Sequence, residues 1–133
     1  MIPSSIEVTN IPQLKDNYSY VISSKENDSA IIVDPAESSS ILKFIKNKKL
    51  SIKAIILTHH HFDHTAGVLD IINDKDIPVY SPNKKIKGTS ILVRDKDKIN
   101  FDTIAFETIA TPGHTLDHVV YYSKKEKILF SGD

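Results

Sequence analysis

All six histidines of this 133-residue chain fall in two short segments. The first is Thr58-His59-His60-His61-Phe62-Asp63-His64, directly after the apolar run Ala54-Ile55-Ile56-Leu57. The second is Thr111-Pro112-Gly113-His114-Thr115-Leu116-Asp117-His118. Imidazole and carboxylate are ligands for zinc, iron and manganese, and spacing says how they are presented. A helical metal site places histidines at i and i+4. Here His59 and His61 stand at i and i+2, which in extended backbone projects both rings to one side. Asp63 and His64 follow where the chain must turn into the next element, so they approach from another direction. One segment therefore offers ligands for two adjacent metals, His59 and His61 for one, Asp63 and His64 for the other. His114, in a turn set by Pro112 and Gly113, brings a third imidazole to the first metal. Asp133, closing Leu129-Phe130-Ser131-Gly132-Asp133 after a further apolar run, can bridge both. His60 projects opposite to its neighbours, and both it and His118 read as supporting or core residues, not ligands.

Two cations about 3.5–4 Å apart can share a water, hold it as hydroxide near neutral pH and clamp a developing oxyanion. No serine or cysteine nucleophile is then needed, in keeping with a chain that has no cysteine. A thioester or ester carbonyl is the natural target, because attack places negative charge where a cation stabilises it. The expected cofactor is a pair of divalent ions, zinc first, with iron or manganese accepted by the same nitrogen and oxygen donors.

Positioning these groups requires strand ends. Ile6-Glu7-Val8-Thr9 alternates, Tyr18 to Ile22 is aromatic and β-branched, and Ala30-Ile31-Ile32-Val33 is a continuous apolar strand stopped by Asp34-Pro35. From about 37 to 50 the period changes. Ile41, Leu42, Phe44 and Ile45 form one face and Lys43, Lys46, Lys48 and Lys49 the other, an amphipathic helix. Ala54 to Leu57 is again a buried strand, and Val68, Leu69, Ile71 and Ile72 predict a second helix. Short strands follow over 77–80, 91–93, 104–106, 119–122 and 128–130. Alternating strands and helices followed by a strand-rich run predict layered sheets flanked by helices. The lysine-rich stretches 84–87 and 94–98 read as a solvated loop and hairpin.

The length allows one domain. Seventeen basic and seventeen acidic side chains cancel, and Arg94 is the only arginine. Neither a nucleic-acid partner nor an anionic membrane is favoured by such a surface. Apolar runs fall far short of the ~20 residues a membrane span needs. The start lacks a basic segment followed by an apolar run, so a soluble cytoplasmic protein is expected.

On these residues the chain resembles the metallo-β-lactamase superfamily. His59 to His64 matches its HxHxDH motif, and the triple histidine is similar to that of hydroxyacylglutathione hydrolases (glyoxalase II). Supporting matches are Leu14 to Tyr20, Val33 to Glu37, Thr111 to Thr115 and Leu129 to Asp133, in the same order. The resemblance implies an α/β fold, an αββα sandwich with metals at one edge. It assigns His59, His61 and His114 to metal one, Asp63 and His64 to metal two, and Asp133 to the bridge; Asp63 doubles as the candidate catalytic residue. The implied substrate is a small-molecule thioester, a glutathione conjugate, with S-D-lactoylglutathione hydrolysed to D-lactate and glutathione. HxHxDH also serves lactonases, nucleases and sulfur dioxygenases, and a metal-binding remnant without turnover is the alternative outside enzymology. Asp117 stands where the family usually has glycine before the second histidine, and Ala66 where a glycine commonly follows HxHxDH. Family members continue past the bridging aspartate into another metal-two histidine, further strands and a glutathione-binding helical region. The resemblance therefore implies a catalytic domain truncated after Asp133, weakly active or inactive alone.

Overall fold

A computed structural model of the chain describes residues 6–13, 17–58, 67–72, 75–101, 104–111 and 118–131. The elements are β1 (Ile6–Gln13), β2 (Asn17–Ser24), β3 (Ser29–Val33), α1 (Ser39–Lys48), β4 (Ser51–Ile56), α2 (Val68–Ile72), β5 (Val79–Ser81), β6 (Ile91–Leu92), β7 (Lys98–Asn100), β8 (Ala105–Ala110), β9 (Val119–Ser123) and β10 (Ile128–Phe130). They form a six-stranded sheet in the order β1-β2-β3-β4-β5-β6 and a four-stranded sheet in the order β10-β9-β8-β7. Strands β1 to β3 are antiparallel, whereas β3, β4, β5 and β6 run parallel. The parallel β3–β4 pair needs a crossover, and α1 supplies it.

Strands β3 and β4 have apolar neighbours on both faces, which is why their sequences run apolar without alternation. Ile31, Val33, Ala54 and Ile56 point between the two sheets and meet Phe106, Tyr121 and Phe130. Ala30, Ile32, Ile55 and Leu57 point the other way and meet Ile41 and Ile45 of α1 and Val68 and Ile71 of α2. Alternate residues of one strand thus serve two cores. The rings of Phe106 and Phe130 pack edge to face at 6.0 Å, and Phe106 meets Tyr121 at 6.2 Å. Helix α1 ends at Lys49, whose backbone is left-handed (φ 56), and the amides of Lys49 and Leu50 bond back to Lys46 and Ile45 carbonyls.

Three layers of the sandwich, α, β and β, are formed by the described residues. The outer face of the four-stranded sheet presents Ile109 and Leu129 to solvent. Several element limits differ from expectation. Strand β1 extends to Gln13 through Pro12, tolerated because β1 is an edge strand whose outer side needs no amide donor. Strand β8 runs to Ala110, beyond the expected end at 106. Strand β7 was not expected at all: only Ile99 of its three residues is buried, too little alternation to see against charged neighbours. The stretch before it is a turn, as expected, with Lys96 at φ 73 and the Arg94 amide donating to the Asp97 carboxylate at 2.7 Å.

Candidate metal centre

Thr58 and Gly67, the described residues on either side of positions 59–66, are both held by residues 34–37. Leaving β3, Asp34 takes a left-handed backbone (φ 50), which aspartate tolerates better than most residues. Its carboxylate, buried at 4% exposure, accepts the Thr58 amide at 2.9 Å and the Thr58 hydroxyl at 2.8 Å. The Asp34 amide donates to the Ile56 carbonyl at 3.1 Å, and its carbonyl accepts the Ser19 hydroxyl at 2.7 Å. Strands β2, β3 and β4 are tied together through this one residue. At the far end of the segment, the Gly67 amide donates to the Pro35 carbonyl at 2.9 Å. A side chain at Gly67 would put its Cβ 2.7 Å from the Glu37 carbonyl carbon, so only glycine permits this approach. Buried Gln13 braces the same turn from β1, accepting the Glu37 amide at 2.8 Å and donating to Ser40 Oγ at 2.7 Å.

The second histidine segment leaves and rejoins the four-stranded sheet between β8 and β9. Their register, Glu107 opposite Tyr122 through Ala110 opposite Val119, continues one step: the Thr111 amide donates to the His118 carbonyl at 2.9 Å. Thr111 Oγ1 and His118 Nδ1 form a second hydrogen bond at 2.7 Å, with His118 only 4% exposed.

Two hydrogen bonds then join the sheets at this end. The Val119 amide donates to the Thr58 carbonyl at 2.8 Å. The Tyr121 hydroxyl donates to the Leu57 carbonyl at 2.5 Å. Burial foremost, and next the negative charge of Asp34, push the Tyr121 phenol well above its ordinary pKa. The phenol is therefore a neutral donor throughout the physiological range. Strand β10 runs antiparallel to β9 with Phe130 opposite Tyr121, so its C-terminal end points toward the same edge.

Thr58, the Thr111–His118 pair and the end of β10 are therefore neighbours, and each borders a segment bearing expected ligands. Those residues, His59, His61, Asp63, His64, His114 and Asp133, lie outside the described residues, as do His60, Ala66 and Asp117. His118 is buried and hydrogen-bonded, in keeping with a supporting role. Sequence reasoning did not assign functional weight to Asp34, Thr58, Gly67 or Tyr121. For Asp34 the available signal was an acid followed by proline at the end of a buried apolar strand.

The two-sheet architecture, with Val119 joined to Thr58 at one end, sets the class. Residues 14–133 match the family model described as "Metallo-beta-lactamase superfamily", and the chain belongs to that superfamily. Within it, the chain is 42% identical over 130 residues to the hydroxyacylglutathione hydrolase of Photorhabdus laumondii subsp. laumondii, covering 96% of this chain and 51% of that protein. It is 36% identical over 129 residues to the hydroxyacylglutathione hydrolase of Idiomarina loihiensis, covering 96% of this chain and 50% of that protein. The chain spans about half the length of these curated relatives. Among solved structures it is similar to the BLEG-1 B3 metallo-beta-lactamase, with a TM-score of 0.83 and 28% identity over 94% of this chain and 71% of that one.

Proposed function

We propose that this chain supplies the metal-binding part of a thioester hydrolase of the glyoxalase II type, acting on glutathione conjugates such as S-D-lactoylglutathione. The observation that carries the reading is the hydrogen bond from Val119 N to Thr58 O. It sets the roots of two histidine-bearing segments side by side although they are far apart in sequence. His59 is the covalent neighbour of Thr58, and His114 lies between Thr111 and His118, so both are tethered to this edge. The donor set fits divalent metal: imidazole nitrogen and carboxylate oxygen, with no thiolate, suit zinc and equally iron or manganese. In this reading His59, His61 and His114 would hold one ion, Asp63 and His64 the other, and Asp133 would serve both.

Divalent metal bound there would supply Lewis acidity toward a water and a carbonyl oxygen. The chain's part is to hold the donors rigidly, through Asp34 and the inter-sheet hydrogen bonds. In this reading the Asp63 carboxylate would take a proton from the attacking water and return it to the departing thiolate. The partner is a small-molecule thioester, with neither nucleic acid nor membrane required. Among the described residues no helix is long and apolar enough to cross a membrane. The proposed location is the cytoplasm, which cell fractionation tests.

The experiment is metal analysis of the purified protein together with a thioester panel. About two equivalents of divalent metal, lost together in a His59→Ala/His114→Ala variant, are expected. Cleavage by residues 1–133 should be weak, chelator-sensitive and greater on thioesters than on lactones. A protein that retains no divalent metal after dialysis refutes the reading. Equal cleavage of lactones and thioesters refutes its substrate class.

A further inference from the structure

The cross-strand pair Thr111 and His118 closes the neck of the segment 112–117. Backbone and side chains are both joined, the Thr111 amide to the His118 carbonyl at 2.9 Å and Thr111 Oγ1 to His118 Nδ1 at 2.7 Å. The ladder through Ala110 and Val119 is enough to bring these strands together, so the side-chain bond is not needed to form the sheet. It lies one step past the ladder's end, where strands ordinarily begin to separate. Next along the chain, the Val119 amide is bonded to the Thr58 carbonyl, so a closed neck is also held against the residue preceding His59.

We infer that Thr111 and His118 form a positioning clip that closes the base of the segment bearing His114 beside Thr58, the residue before His59, and so sets metal affinity. The inference rests on the metal centre proposed above. A loop pinned at a narrow neck samples fewer conformations, so less freedom remains to be lost when its imidazole is captured by a cation. Groups that orient a ligand in this way change metal affinity when removed, typically by 10–100-fold.

The test is cobalt(II) titration followed by the visible absorption of the bound ion, with urea unfolding in parallel. Thr111→Val keeps the shape and removes the hydroxyl; His118→Phe removes Nδ1 from the other side. Each should weaken cobalt binding roughly 10–100-fold, and the double variant should lose no more than His118→Phe alone because the two share one interaction. Thr111→Ser, which retains the hydroxyl, should restore wild-type affinity. Phe106→Leu, in the core between the sheets, should lower stability and leave cobalt affinity unchanged. Wild-type affinity in Thr111→Val and His118→Phe overturns the clip while leaving the metal centre standing. So does an equal loss of affinity in Phe106→Leu, which would make the effect one of general stability. A wild-type protein that gives no cobalt absorption overturns both readings.

Discussion

Replacing Asp34 by alanine withdraws both acceptors that hold Thr58 in place. Thr58 is fully buried, and its amide and hydroxyl each donate to the Asp34 carboxylate, at 2.9 and 2.8 Å. Hydrogen bonds to a charged group contribute about 1.5–3 kcal/mol each, and an amide left buried without an acceptor loses its full solvation. Alanine in a left-handed backbone (φ 50) adds about 1 kcal/mol. The sum for Asp34→Ala is a loss of about 4–7 kcal/mol, a large part of the ~5–15 kcal/mol that a domain possesses. Asparagine tolerates the left-handed region and retains one oxygen for the Thr58 amide, while its NH2 can donate to the Thr58 hydroxyl oxygen. Asp34→Asn should therefore cost about 2–3 kcal/mol, the difference between charged and neutral hydrogen bonds taken over the two bonds. Urea unfolding at neutral pH, followed by far-ultraviolet circular dichroism, reads both numbers from the midpoint, provided the slope stays constant. Amide exchange at Thr58 should accelerate more in the alanine variant than in the asparagine variant. If Asp34→Ala unfolds within about 1 kcal/mol of wild type, the carboxylate is not what anchors this strand end, and the reasoning fails.

Two further perturbations probe the same edge. Tyr121→Phe deletes the donor to the Leu57 carbonyl and should cost about 1–3 kcal/mol at neutral pH by urea unfolding. Because the folded phenol sits above its ordinary pKa, the folded state holds this proton more tightly than the unfolded chain. That stabilisation is complete below about pH 10 and is lost as pH rises through the folded value. Melting temperatures should thus fall more steeply above pH 10 in wild type than in Tyr121→Phe; parallel curves would show that Tyr121 does not carry the effect. Gly67→Ala forces a Cβ to within 2.7 Å of the Glu37 backbone, which must move. A loss of about 1–3 kcal/mol is expected, accompanied by weaker metal retention measured after dialysis. Wild-type stability and metal content together would show that this contact tolerates displacement.

Much of the molecule is local information and could be read directly. The apolar runs of β3 and β4, the lysine-faced helix α1 and the strand end that precedes the first histidine segment depend on period and composition over a few residues. The donor types and their i, i+2 spacing likewise carried the chemistry of the proposed centre without coordinates. Strand β7 was lost because one buried isoleucine makes no pattern, and the full extent of β1 because Pro12 argues against a strand unless that strand is at an edge. What tertiary structure alone decided is the choice of long-range partners. Nothing around Asp34 announces that its carboxylate will meet Thr58, 24 residues later, nor that Tyr121 will donate to Leu57 across 64 residues. Those pairings depend on sheet order, on register and on how one sheet lies over the other. A hydrogen-bonding group meets whichever complementary group the packing of the apolar core brings within about 3 Å, and that packing is a property of the whole chain.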